Sequence, residues 1–191
     1  MSLIRSTRHT DLLHQDNALL IVVDMQEPFL RNIWERERVI AQTILLIEAA
    51  KTLRLPIVPT LQYADRMGDI IPEIARAIPR GYTPFDKLTF SAMANEAIAS
   101  EIHRSGRKQV ILCGIETHIC IHQTAHDLLA HGIQVHIAAD AVSSRTECNW
   151  QTGLRRMENS GALISSTEMA IYELLVEAGN HDFREIQKHV K

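Results

Sequence analysis

"QVILCGIETHICIHQTAHDLLAHGIQVHIAADAV", residues 109–142, decides the fold. Its first seven residues form a short apolar run with the composition of a strand buried on both faces. Residues 118–132 read as a helix ending in glycine, and 134–142 return to an apolar strand. Strand, helix and strand in succession imply a parallel pair joined by a crossover. The same alternation extends outward. "ALLIVVDM" (18–25), "PIVPTLQY" (56–63) and "ALISST" (162–167) read as further strands. Helices are expected over 38–54, about 93–104, 147–159 and 168–179. In the first, Val39, Ile40, Ile44, Leu46, Ile47 and Ala50 lie close to helical spacing, with Pro56 soon after. Residues 64–86 are the least regular, with only 72–78 helical in look, and suit substrate-facing loops. The expectation is an α/β domain with a doubly wound parallel sheet and helices on both faces.

Composition narrows the function. The 191 residues, 46% hydrophobic, suffice for one sizeable core, and a single domain over 1–191 is expected. A net charge of -3 with no block of like charges lacks the footprint of a nucleic-acid or anionic-membrane binder, so a small-molecule partner fits better. No secretory leader or membrane-length apolar run is recognisable, and three irregularly spaced cysteines do not make a disulfide framework. A cytoplasmic protein with a free thiol is the expectation.

In a doubly wound sheet, ligands sit outside the carboxyl ends of the strands where the winding reverses. Asp24 ends the first strand, Lys87 lies in "DKLTFSAM" and Cys120 follows the central strand at the opening of a helix. A carboxylate to take a thiol proton, and a cation or helix N-terminus to favour the thiolate, make a nucleophile. Each residue also has a plain reading. Asp24 can be a turn or cap, Lys87 a solvated lysine, and Cys113, inside its strand, a packing residue. Cys148 reads as structural. A metal reading rests on His118, Cys120, His122 and His126, with His122 and His126 sharing a helix face. It lacks a Cys-x-x-Cys pair or the glutamate of His-Glu-x-x-His.

"ALLIVVDMQEPF", "DKLTFSAM" and "ILCGIETHICIHQTAHDLLAHGIQVHIAADAVSSR", in this order, resemble the isochorismatase-like cysteine hydrolases, which include nicotinamidases and N-carbamoylsarcosine amidases. The resemblance is strongest over 16–170, and "TLQY" and "LCGIETHIC" look like the isochorismatase-domain-containing branch. It implies three layers, a strand order of 3-2-1-4-5-6, and a triad of Asp24 as general base, Lys87 as its electrostatic partner and Cys120 as nucleophile. It further implies a cis Ile115-Glu116 peptide, with the Glu116 and Cys120 backbone N–H groups forming an oxyanion hole. The activity implied is cleavage of an amide or related C–N bond through a thioester, by a homo-oligomer without cofactor. Nicotinamidases carry a metal-binding Asp-x-His after the second strand. Here that place reads "TLQYADRMGD", with no histidine between residues 37 and 102, so no metal is expected. Gln26, Phe29, Gln62, Tyr63, Tyr82 and Phe90 are candidates to line the substrate pocket, from loop position. The alternatives are a non-catalytic interaction module of the same fold and a metal-dependent nicotinamidase-type amidase.

Overall fold

A computed structural model describes residues 8–190. The chain runs β1 (Ala18–Val23), α1 (Glu27–Leu30), α2 (Arg36–Thr52), β2 (Ile57–Gln62), α3 (Ala64–Met67), α4 (Pro72–Ala77) and β3 (Phe85–Lys87). It continues through α5 (Glu96–Arg104), β4 (Gln109–Ile115), α6 (His122–Ala130), β5 (Gln134–Ser143), α7 (Glu147–Asn159), β6 (Leu163–Ser165), α8 (Thr167–Leu175) and α9 (His181–Gln187). The six strands form one sheet in the order 3-2-1-4-5-6, and every neighbouring pair is parallel. The winding reverses between β1 and β4, whose registers match Val22 with Cys113 and Val23 with Gly114.

Continuous apolar strands bury both faces, and alternate residues divide between two cores. Leu20, Val22, Ile111 and Cys113 pack under α2, α4, α8 and α9. Leu19, Ile21, Val110 and Leu112 pack under α5, α6 and α7. Helix starts follow from side-chain caps: Asn95 accepts from the Ala97 and Ile98 N–H groups, Thr146 from Asn149 and Ser166 from Met169. Among the described residues no helix is long and apolar enough to cross a membrane.

Three elements differ from the sequence reading. β3 has only three residues inside the segment read as irregular, too short to show a period. The helix expected over 168–179 stops at Leu175, where Val176 turns to a positive φ of 66°, and a separate α9 follows. The helix expected from 118 is preceded by a wide π-type turn, Thr117–Ile121, in which the Ile121 N–H reaches the Glu116 carbonyl at 3.2 Å. Such turns insert one residue per turn and often mark functional sites.

Candidate active site

Asp24 is the first residue past β1, and its backbone is left-handed, with φ of 52°. That conformation is unfavourable for a residue with a Cβ, and Asp is among the few that tolerate it. It points the carboxylate back over the ends of the strands. The side chain is buried, and both oxygens have donors: Thr60 Oγ1 to Oδ1 at 2.7 Å and Lys87 Nζ to Oδ2 at 2.7 Å. Lys87 ends β3, two strands from β1, a span near 10 Å from strand spacing. Its stem crosses above Gln62, its register partner on β2, and the ammonium also donates to Gln62 Oε1 at 2.6 Å. A buried ion pair is tolerated when hydrogen bonds satisfy the remaining polar atoms, as they do here.

Cys120 arrives from the other side of the reversal. β4 ends at Ile115, the Ile115-Glu116 peptide is cis, and the π-type turn carries the cysteine to the mouth of α6. Gly114 makes the exit possible. Its φ is +106°, and a Cβ there would stand 2.1 Å from the Val23 carbonyl oxygen, a clash that no side chain survives. Gly153 on α7 plays a related part, since a Cβ would press within about 3.0 Å of Thr117 in the turn. The Cys120 sulfur is nearly buried and lies 4.0 Å from Gln62 Oε1. Burial, then the Asp24 charge, push its thiol up to about 12, against the opposing pull of Lys87 and the Glu116 backbone N–H. A helix N-terminus alone suggests a lowered value; here desolvation and the neighbouring carboxylate outweigh it.

Asp24, Gln62 and Cys120 share a cleft with Phe29, Phe90, Ile115, Glu116 and Ile119. Of the six residues named for the pocket, Phe29, Gln62 and Phe90 line it. The other three are corrected. Gln26 is wholly buried and holds Gln62 from behind: its Oε1 accepts from the Gln62 N–H at 2.8 Å and its Nε2 donates to the Gln62 carbonyl at 3.2 Å. Tyr63 turns outward with φ of 51°, under Arg66 at 5.9 Å from the ring. Tyr82 lies in a separate groove with Ile57 and Pro59 at the beginning of β2, away from the strand ends. Loop position cannot distinguish the two ends of a strand when the loop is long. Thr60 and Ile119 were missed. Thr60 reads as one more residue of a buried strand, and Ile119 as one more apolar helix position.

The rings of His122 and His126 stay together, with 4.2 Å between centroids. His118 Nδ1 meets Ser144 Oγ at 2.9 Å, while His126 Nδ1 bonds the His122 carbonyl at 2.7 Å. Burial and neighbouring cations hold His122 down at about 4. Among the described residues, no three His, Cys, Asp or Glu side chains gather in a metal-binding arrangement. Cys113 and Cys120 lie in the cores on opposite faces of the sheet.

A parallel sheet with this strand order and helices on both faces is the isochorismatase-like α/β fold. The isochorismatase domain matches residues 18–169, and the chain belongs to that family. It is 39% identical to the secreted isochorismatase effector Isc1 of Phytophthora sojae, covering 100% of this chain and 92% of that protein. It is 38% identical to isochorismatase domain-containing protein 2 of Danio rerio, over 92% of this chain and 88% of that one. The solved structure of a protein named MAR1 ribonuclease, from Caenorhabditis elegans, superposes with a TM-score of 0.89 at 34% identity, over 94% and 92% of the two chains.

Proposed function

We propose that the protein hydrolyses an amide or related C–N bond of a small molecule through a thioester on Cys120. The observation that carries this reading is the buried Asp24 and Lys87 pair, joined at 2.7 Å, whose Asp24 lines the cleft that also holds Cys120. Asp24 takes the thiol proton as the sulfur attacks the carbonyl carbon. The C–S bond forms, and the Glu116 and Cys120 backbone N–H groups face the oxyanion. The amine leaves with the proton returned by Asp24. Water, deprotonated by Asp24, then releases the acid and restores the thiol. Because the resting thiol is held near 12, proton transfer is coupled to attack and needs a base in place. Lys87 holds that base in position and offsets its charge. No metal enters this sequence, because the carboxylate alone can generate the nucleophile.

A nuclease activity, suggested by the name of the nematode relative, has no support in the charge pattern. The net charge is -3, and among the described residues no Lys, Arg or His lines the cleft to receive phosphate. Self-association fits the surface: Met169, Tyr172 and Val176 stay exposed along one stripe of α8 and its end, an apolar face suited to a second copy.

The test is a panel of small amides, ureas and carbamoyl compounds, read by product release and by intact mass of the protein. An acyl adduct on the wild type, absent with Cys120→Ala together with turnover, is the expected result. Turnover that survives Cys120→Ala, or activity lost on chelation and restored by zinc, would overturn the reading. A panel giving neither adduct nor product would favour a non-catalytic module.

A further inference from the structure

We infer that the cleft selects uncharged or cationic carboxamides bearing an N–H and rejects anionic acyl compounds, with Gln62 Oε1 receiving the N–H beside the scissile carbonyl. This rests on the acyl-transfer reading of Cys120. The orientation of the Gln62 amide is set by its neighbours. Its Nε2 donates to the Leu88 carbonyl at 2.9 Å and its Oε1 accepts from Lys87 at 2.6 Å. The flipped amide would face an NH2 group toward an ammonium and an oxygen toward the Leu88 carbonyl, mismatching both contacts. Gln26 fixes the Gln62 backbone from both sides. The oxygen is therefore immobile, and a carbonyl oxygen has a second lone pair to offer.

That oxygen stands 4.0 Å from the Cys120 sulfur. A carbonyl carbon poised for attack lies about 3–3.5 Å from the sulfur, so its amide nitrogen falls within reach of Oε1. An amide N–H completes a hydrogen bond there. An ester oxygen would oppose lone pair to lone pair and leave a buried acceptor unmatched.

Charge acts in the same sense. The ionisable side chains on the cleft wall are Asp24, Glu116 and the thiol, and no Lys, Arg or His among the described residues lines it. Lys87 is spent on Asp24 and Gln62, with its side chain fully buried. Arg145 approaches only as far as Glu116 Oε2, at 3.1 Å, outside the lining. The remaining wall is apolar, from Phe29, Phe90 and Ile119. A carboxylate entering here loses water and finds, among the described residues, no free cation to pair with, since Lys87 and Arg145 are engaged by Asp24 and Glu116.

Three alkylating reagents of similar size test this without knowledge of the substrate: iodoacetamide, N,N-dimethyl-iodoacetamide and iodoacetate. Each forms a C–S bond and releases iodide, while the thiol proton passes to Asp24 or solvent. Labelling of Cys120 in the intact protein is followed by peptide mapping, with the exposed Cys148 as reference in the same sample. Relative to Cys148, Cys120 should prefer iodoacetamide over iodoacetate by about tenfold or more. It should prefer iodoacetamide over the dimethyl compound by about three- to tenfold, the worth of one hydrogen bond. Phe90→Arg, which sets a cation at the rim, should raise the iodoacetate rate at Cys120 by about tenfold. Equal ratios at the two cysteines, no effect of Phe90→Arg, or failure of iodoacetamide to label Cys120 while Cys148 is fully labelled would each overturn the inference. The two readings separate. Selective labelling without any acyl adduct from the amide panel supports the selectivity and removes the acyl-transfer reading. Unselective labelling of a protein that does form adducts removes the selectivity alone.

Discussion

Cys113 and Cys120 are seven residues apart, and both thiols are pushed up to about 12, chiefly by burial. They lie on opposite faces of the sheet and have different neighbours. Cys113 stands in β4 under α2, its sulfur 3.5 Å from the Ile21 carbonyl, with no carboxylate or ammonium bonded to it. Cys120 stands in the π-type turn beside Asp24, with Lys87 behind and the open cleft in front. A raised thiol value thus marks burial, not idleness. On the proposed mechanism, what separates a packing sulfur from a nucleophile is an adjacent carboxylate held by a counterion, together with a route for a substrate.

The largest effect should come from Asp24→Asn, and it should split two measurements. Turnover of an amide identified by the panel should fall about 10²–10⁴-fold, because an amide side chain cannot take the proton. Iodoacetamide labelling of Cys120 should instead quicken, since the variant removes the charge that, after burial, most raises the thiol and leaves Lys87 to favour the thiolate. Parallel slowing of both would show that alkylation, like acyl transfer, draws the thiol proton through Asp24. Lys87→Met should come next and move labelling the other way, slowing it by removing the favourable cation. It should also destabilise the fold by about 3–5 kcal/mol in chemical denaturation, because Asp24 stays buried without its partner. An unchanged midpoint would show that the ion pair is dispensable.

The same contrast shows what the chain reveals unaided. β1, β4 and β5 announce themselves as continuous apolar runs, and "LCGIETHIC" places a cysteine after a strand, so sheet, reversal and the three chemical residues were legible. Lys87 stood out as an ionisable residue near a strand end and again within "DKLTFSAM", although β3 is three residues long and carries no period of its own. The supporting roles of Thr60 and of Gln26, which was named only for the pocket, were hidden for another reason. Their part is to direct a hydrogen bond at Asp24 or at Gln62, and a polar residue in or beside a buried strand gives no sign of its partner. The thiol value was also out of reach, since it depends on desolvation by segments distant in sequence.

Alkaline pH gives a smaller and more graded separation of the two sulfurs. Each folded thiol is raised from an ordinary 9.0 to about 12, so between those values the unfolded chain has released a proton that the folded one retains. The unfolded state then binds fewer protons, and stability falls as pH rises through that window. Below pH 9 the two thiols contribute no slope. Each can add at most about 1.4 kcal/mol per pH unit within the window. Cys113→Ala and Cys120→Ala should therefore each flatten the decline in denaturant midpoint by a comparable amount. An unaltered slope in both variants would show that neither sulfur is shielded in solution.

The smallest effect should be that of Cys113→Ala at neutral pH, and its smallness is the point. Removing one sulfur from a buried strand leaves a cavity of about one atom and should cost about 1 kcal/mol. The sulfur faces α2, while Asp24, Gln62 and Cys120 meet above the strand ends, with Gly114 and the cis peptide between. Labelling selectivity at Cys120 and the rate of acyl-adduct formation should both stay within about twofold of wild type, as expected for sites with no shared partner. A larger change at Cys120 would show that the strand interior and the turn respond as one unit. The division between a packing sulfur and a reacting one would then rest on the whole of β4 and its exit, not on the side chains that touch each thiol.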